Sequence, residues 1–227
     1  IYSRSLETLE PLQKLHSLRL SNNLNEISSL DLDVIFCCLP DDVLSSELDF
    51  YNGNSLMISM SGMSSLKTFA RNAKNKAIIY PLQSFTKFRE ANWKEIPLLI
   101  EAKPEIIPIV KSVASELGDT VIEANEEQRK HYHLAAVWVN NFINANLVVA
   151  SYICEENNLD FTLLHPLLNE TLNKALLLGP DKAQTGPALR NDKNTMQEHL
   201  NLMKNEKQKE LYSLLSSLIQ EILNSHE

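Results

Sequence analysis

The sequence predicts a parallel α/β domain followed by an all-α domain. Up to Glu123, short apolar runs rich in β-branched residues alternate with helical segments, which is the pattern of a parallel sheet with crossover helices. From Asn125 onward the strand pattern stops, and four helices are predicted over 126–156, 159–178, 194–204 and 206–225. We therefore predict two domains, 1–124 and 125–227.

Five segments have the composition of strands. They are 33–39, 56–61, 76–80, 96–101 and 120–123. The first is continuously apolar, which favours a strand covered on both faces. A helix over 105–117 is predicted to stop at Gly118, and Ile1-Tyr2 is predicted to end a further strand that leads into a helix over 6–15.

Composition excludes several classes of protein. The chain has 227 residues, of which 44% are hydrophobic, so it can bury a core. Its net charge of −8 provides no basic field for nucleic acid. The three cysteines form neither an even disulfide framework nor a zinc spacing, which favours buried thiols in a reducing, cytoplasmic compartment. The first residues lack the features of a signal peptide.

Ligands of an open parallel sheet bind beyond the carboxyl ends of its strands. The candidate cofactor-binding residues at these ends are Ser3, Arg4, Ser5, Leu39, Pro40, Asp41, Ser61, Gly62 and Pro81. A fold that binds NAD places a carboxylate after its second strand, whereas NADP needs cations and hydroxyls for its 2′-phosphate. Ser3-Arg4-Ser5 fits the phosphate. The alternative is an ordinary exposed turn.

The Gly-rich turn that approaches the pyrophosphate is absent, because none of the five glycines forms a G-x-G-x-x-G motif. One explanation is that about 30 residues of a first β-α unit are missing from the chain. The other explanation is a different fold. Under the first explanation, we expect this polypeptide alone to bind NADPH poorly.

His133 opens a long apolar helix, and Asn140 and Asn144 follow it on nearly the same α-helical face, with Asn141 about 80° around the axis. An imidazole ordinarily titrates near neutral pH, so His133 is a candidate for exchanging the substrate proton that accompanies hydride transfer. The asparagines are candidates for orienting the substrate. The alternative is a core histidine with amides that pack helices together in a dimer.

A loop between helices, Thr185 to Asp192, combines a hydroxyl, a guanidinium and a carboxylate. Thr185, Arg190 and Asp192 are therefore candidate substrate-binding residues. Arg190 could bind a carboxylate or phosphate with both nitrogens, while Asp192 holds Arg190 or caps the next helix. In the structural alternative, the two form a salt bridge that fastens the loop. The histidines lack the spacing of a metal site, so we predict no metal.

Leu134 to Cys154 contains no charged residue and is long enough to cross a membrane. Its four asparagines favour a helix covered by protein instead. We expect this helix to lie at the centre of the helical domain and to contribute to a two-fold dimer. Alternatively, the three later helices wrap it within one chain.

Several segments together resemble a known family. They are Tyr2–Ser5, Val34–Asp42, Ser61-Gly62, Tyr80–Phe85, Glu127–Ala136, Asn141 and Thr185–Asp192 through Leu200. This succession of segments resembles a bacterial family described as NADP oxidoreductases, and in particular its members from Bacteroidetes. Its members join a Rossmann-like domain to a C-terminal helical domain of unknown function. The family is similar to pyrroline-5-carboxylate reductase, ketopantoate reductase and the 6-phosphogluconate dehydrogenase group.

The resemblance implies a Rossmann-like sheet without its first strand and helix, followed by a helical domain like the C-terminal domain of 6-phosphogluconate dehydrogenase. It implies NADP as cofactor and hydride transfer to or from a small carbonyl or imine compound in the cleft between the domains. It also places His133 and Asn141 in the family pattern as catalytic residues. The alternative function is a non-catalytic helical dimer or ligand-binding module on a degenerate Rossmann half.

Overall fold

The computed structural model describes residues 1–7, 9, 13, 16–40, 44, 48, 51, 53–87 and 89–224, with only the backbone of 27, 28 and 222–224. The contacts divide the chain into two compact units, 1–142 and 143–227. The helix predicted over 6–15 lies largely outside the described residues, as does Asp41. The domain boundary near residue 124 stays a prediction.

The first unit contains a five-stranded sheet in the order β1-β2-β3-β4-β5. The strands are β1 (Val34–Cys37), β2 (Leu56–Ser59), β3 (Asn75–Pro81), β4 (Leu98–Ala102) and β5 (Val121–Glu123). Helix α1 (Leu24–Ser28) precedes β1, and α2 (Ile107–Leu117) connects β4 to β5. Gly118 is the C-terminal cap of α2, as predicted. The predicted α/β domain is therefore confirmed.

One strand runs against expectation. The β1-β2, β2-β3 and β4-β5 pairs are parallel, but β3 and β4 are antiparallel, with Pro81 opposite Leu98. The segment between β3 and β4 contains only a short 3-10 helix, Trp93–Glu95, among its described residues. Parallel neighbours need a crossover that carries the chain back across the sheet, usually an α-helix, and the described part of this segment contains no α-helix. The sheet is thus mostly parallel.

Apolar side chains cover the sheet on both faces. Alternate residues of β2 point to opposite faces, so Leu56 and Ile58 pack with α2 while Met57 packs with Phe69 on the other side. Ile78, Tyr80 and Leu99 form a third cluster with Ala124. This double coverage explains the apolar runs of β2 and β3. The prediction that the first strand is covered on both faces is wrong, because β1 is the edge strand of the described sheet and Phe36 is exposed.

The Tyr2–Ser21 pair forms an isolated parallel bridge, which agrees with the predicted end of a strand at Ile1-Tyr2. A cavity of about 610 Å³ with mostly apolar walls lies between this bridge and β1, the edge strand of the described sheet. The expected Gly-rich unit stays a prediction.

A helix of 31 residues, Glu126–Glu156, follows the sheet. It consists of α3 (Glu126–Ala136), a π-helical segment (Val137–Phe142) and α4 (Ile143–Glu156). By length and composition alone this helix could cross a membrane, and none of its apolar window is buried within the chain. Both predicted ways of covering this helix, a second chain or the three later helices, stay predictions.

The second unit is all-α, as predicted. After α4 it contains a 3-10 helix (Phe161–Leu164), α5 (His165–Leu178), α6 (Pro180–Ala183), α7 (Lys193–Leu202) and α8 (Glu206–Asn224). Asp160 caps the 3-10 helix by accepting hydrogen bonds from the backbone N–H and the hydroxyl of Thr162.

Candidate functional site

The candidate site lies where β2 and β3 end and α3 begins. Asn125 starts α3 with a capping box, since its side chain accepts from the Gln128 N–H while the Gln128 side chain accepts from the Asn125 N–H. This cap fixes the first turns of α3 and so the direction of the side chains that α3 presents. Three of those side chains contact the strand ends: Glu126 and Arg129 contact the segment after β2, and His133 contacts the end of β3.

Arg129 is fully buried and joins three elements. Its Nη2 donates to Glu101 Oε2 on β4 over 2.7 Å, and its Nη1 donates to the Gly62 carbonyl after β2. Removing a guanidinium from water costs several kcal/mol, so a buried arginine needs an acceptor such as the Glu101 carboxylate. Sequence analysis did not select Arg129, since the run Glu-Gln-Arg-Lys has the composition of an exposed helix start.

His133 lies one turn further along α3. Its Nδ1 is 3.1 Å from the hydroxyl of Tyr80 at the end of β3, and the two rings are tilted by 60°. Gly62 lies against both rings, so that a Cβ there would be 2.9 Å from Tyr80 Cζ and 3.0 Å from His133 Nδ1. The lack of a side chain at Gly62 is therefore what allows the hydroxyl and the imidazole to meet.

A second polar cluster surrounds Glu126. The Ser65 hydroxyl donates to Glu126 Oε2 and Lys130 Nζ donates to Oε1, both over 2.6 Å. The hydrogen bond from Lys130, followed by that from Ser65, lowers the pKa of the Glu126 carboxyl. These contacts fasten the first turn of α3 to the segment after β2.

A cavity of about 370 Å³ opens at the carboxyl ends of β1, β2 and β3. It is lined by predicted cofactor residues Leu39, Ser61 and Pro81, together with Cys37, Cys38, Met60, Tyr80, Gln83, Phe85 and Trp93. Phe85 and Trp93 stack with their ring centroids 5.3 Å apart. No described lining residue carries a full charge, which suits an uncharged planar group.

The remaining predicted residues are distributed as follows. Ser3, Arg4 and Ser5 follow the Tyr2–Ser21 bridge, and Arg4 is exposed. Pro40 follows β1 and is exposed. Asn140 and Asn141 lie in the π-helical segment, where their side chains face solvent and contact each other at 3.4 Å.

The π-helical segment corrects the predicted polar stripe. That stripe assumed an uninterrupted α-helix from His133 to Asn144, whereas hydrogen bonds of a π-helix close between residues i and i+5. The wider turn rotates Asn140 and Asn141 away from their α-helical positions relative to His133. Such segments are frequent at functional sites. Asn144 is exposed on α4, in the second unit.

In the second unit, Asp192 caps α7. Its Oδ1 accepts from the Thr195 N–H and its Oδ2 from the Thr195 hydroxyl, and these bonds lower the pKa of the carboxyl. Of the two predicted roles for Asp192, the structure shows the helix cap. Thr185 and Arg190 are exposed.

Among the described residues, no group of three His, Cys, Asp or Glu side chains could hold a metal ion. The prediction of no metal stays a prediction.

The chain matches the family described as "Domain of unknown function (DUF2520)" over residues 96–219. It is 32% identical to a solved structure described as a "putative NADP oxidoreductase" BF3122 from Bacteroides fragilis, with a TM-score of 0.87, covering 97% of this chain and 87% of that one. Protein TM1727 from Thermotoga maritima is 25% identical, with a TM-score of 0.73 and coverage of 100% and 90%. No curated protein sequence matches the chain.

An imine reductase from Myxococcus stipitatus in complex with NADP+ shares the fold, at 16% identity, a TM-score of 0.66 and coverage of 99% and 85%. The sheet and helices define a Rossmann-like domain followed by a helical domain. The chain belongs to the DUF2520 family, and the resemblance identified from the sequence is confirmed.

Proposed function

We propose that the protein is an NADP-dependent oxidoreductase that transfers a hydride to or from a small carbonyl or imine compound. The observation that carries this proposal is the His133–Tyr80 pair beside the uncharged cavity at the ends of the parallel strands. Ligands bind at this edge of α/β sheets. The similar structures described as an NADP oxidoreductase and an imine reductase support the same reaction type.

The described residues fit two parts of the cofactor. The cavity is uncharged and carries the stacked Phe85–Trp93 pair, which suits a nicotinamide ring. Arg4, exposed after the Tyr2–Ser21 bridge and flanked by Ser3 and Ser5, suits a 2′-phosphate. The Gly-rich turn for the pyrophosphate is absent from this sequence, so tight binding is expected only where such a turn is supplied. When bound, NADPH supplies the hydride.

His133 is the proposed proton donor and acceptor. It is half-buried and held by Tyr80, so its imidazole occupies a defined position at the strand ends. We assign Asn141 a catalytic role in orienting the substrate, and Asn140 and Asn144 roles in binding it. Thr185, Arg190 and Asp192 are proposed to bind substrate as well. A small-molecule substrate follows from the size of the cavity.

The decisive experiment measures NADPH consumption by the complete gene product with a panel of cyclic imines and small ketones. We expect turnover of one class, faster with NADPH than with NADH, and a loss of about 100-fold or more in His133→Ala. His131→Ala is the matched control, because His131 lies on the same helix but is exposed and bonded to the Glu127 carbonyl. Equal losses in both variants, or no hydride transfer to any substrate, would overturn the proposal.

We also propose a homodimer formed through the helical domain, in a cytoplasmic compartment. Val148 and Tyr152 on α4, together with Leu176 and Leu177 on α5, leave large apolar surfaces exposed on a single chain. Exposed apolar patches of this kind mark protein interfaces, and the asparagines of the Glu126–Glu156 helix disfavour lipid. The cysteines are free thiols, as expected in a reducing compartment, although Cys38 is exposed and not buried as predicted.

A further inference from the structure

We propose that Tyr80 is a positioning residue that fixes the tautomer of His133, so that Nε2 is the atom that exchanges the proton with substrate. The inference rests on the proposed function for the identity of the proton donor. The tautomer itself is a property of the unliganded protein. Sequence analysis treated Tyr80 only as the end of a strand.

The first observation is the occupied nitrogen. Tyr80 Oη lies 3.1 Å from Nδ1 of His133, within hydrogen-bond distance. A hydrogen bond to one ring nitrogen determines which nitrogen is left for chemistry. Nε2 is therefore the nitrogen of His133 that is available to a ligand.

The second observation is that Tyr80 is nearly buried, which raises the pKa of its phenol. The phenol therefore stays neutral at physiological pH and forms a hydrogen bond with the imidazole without an ion pair. A hydroxyl can donate to Nδ1 or accept from Nδ1–H; the proposed tautomer is the second arrangement, in which Nδ1 keeps its proton and the bond persists in both protonation states of His133. The position of the ring then does not change during the reaction.

The third observation is the close approach of Gly62. A Cβ at this position would lie 2.9 Å from Tyr80 Cζ and 3.0 Å from His133 Nδ1. Arg129 in turn holds the Gly62 carbonyl, so the backbone that borders the pair is itself fixed. The pair is thus enclosed on the side of Gly62 by a backbone that leaves no room for rotation toward it.

For reduction of an imine, the proton balance is as follows. The Nε2–H bond of the His133 imidazolium breaks and a new N–H bond forms at the imine nitrogen, while the imine carbon receives the hydride. His133 is left neutral with its proton on Nδ1, donated to Tyr80 Oη, and Nε2 is protonated again from solvent. Oxidation of the amine runs through the same steps in reverse.

The test is nitrogen NMR of the imidazole in the complete chain labelled with 15N-histidine. Wild type should show, for neutral His133, a protonated Nδ1 and an unprotonated Nε2. Tyr80→Phe removes only the hydroxyl and should shift the population toward the Nε2–H tautomer. Gly62→Ala should do the same through steric displacement, without removing any hydrogen-bonding group. Tyr132→Phe removes the hydroxyl of an exposed tyrosine on the same helix as His133, and it should leave the spectrum unchanged.

The kinetic arm separates this inference from the proposed function. If substrate is turned over, Tyr80→Phe should lower kcat about three- to tenfold with little change in KM, as expected for one hydrogen bond. A wild-type spectrum with the proton on Nε2, or a spectrum of folded Tyr80→Phe identical to wild type, would overturn the inference. If the spectra are as expected but His133→Ala leaves the activity unchanged, the inference about the tautomer holds and only the proposed function is overturned.

Discussion

Arg129 and Glu101 form an ion pair of 2.7 Å whose guanidinium is fully buried, while the carboxylate side chain keeps 19% of its exposure. Arg129 also binds the Gly62 carbonyl. One side chain therefore links α3 both to β4 and to the segment after β2. Its Nε has no hydrogen-bond partner among the described atoms, so the two terminal nitrogens carry the whole interaction.

Replacing Arg129 with Leu should destabilise the sheet unit by about 3 kcal/mol, because Glu101 and the Gly62 carbonyl lose their partner in a largely water-free site. Urea unfolding followed by tryptophan fluorescence measures this loss. Lys130→Ala, which breaks the more exposed pair with Glu126, should cost only about 0.5 kcal/mol. Similar costs for the two variants would contradict the structural role of Arg129.

The Glu126 carboxyl should make stability depend on pH. Its pKa in the folded protein is lowered from the ordinary 4.5, chiefly by the hydrogen bonds from Lys130 and Ser65. The stabilisation is therefore fully present above pH 4.5 and is lost as the pH falls through the lowered pKa. Unfolding measured from pH 7 to pH 3 should show the advantage of wild type over Glu126→Gln shrinking in that range. An advantage that grows on acidification would contradict the contact.

The adjacent thiols at the end of β1 should differ in reactivity. Cys37 is buried, and burial raises its pKa to about 12, so almost no thiolate forms at neutral pH. Cys38 is exposed and lines the cavity, although partial burial also raises its pKa. Maleimide labelling followed by mass spectrometry should modify Cys38 before Cys37, and Cys38→Ser should remove the faster phase. Labelling of Cys37 first would contradict the burial of its thiol.

A charge at Val148 should separate the proposed dimer. Val148 is 40% exposed on α4. No residue from Leu134 to Cys154 is charged. Light scattering of wild type should give about twice the chain mass of 25.8 kDa, and Val148→Glu should give monomers or aggregates. Lys174→Glu offers a control at a site that is already charged. A well-folded wild-type monomer at micromolar concentration is the result that would exclude the dimer.

The strands could be predicted from sequence because a buried strand is visible as a short apolar run, as in Leu56–Ser59. The direction of β4 could not, because pairing depends on contacts with β3 that are distant along the chain. Arg129 was missed for a related reason. A charged residue in a charged segment has the pattern of a solvated face, and only the tertiary position of Glu101 shows that it is buried.

His133 was predicted as a candidate, but its partner was not. Tyr80 is separated from it by 53 residues and ends a strand whose composition alone predicts burial. The π-helical segment was also outside the reach of sequence periodicity, since that analysis assumes 3.6 residues per turn throughout. The predicted positions of Asn140 and Asn141 relative to His133 were therefore wrong, because both asparagines lie in this segment.

The reversed direction of β4 determines how the cavity is walled. In an all-parallel sheet, the residues that precede a strand lie at the opposite edge from the ligand. Here Leu98, the first residue of β4, pairs with Pro81, the last of β3, so the chain just before β4 is returned to the ligand edge and contributes Trp93. One wall of the cavity is therefore a loop with both ends anchored to neighbouring strands. Such a loop can change in length and sequence while every strand stays in register, because surface loops tolerate insertions that strands do not.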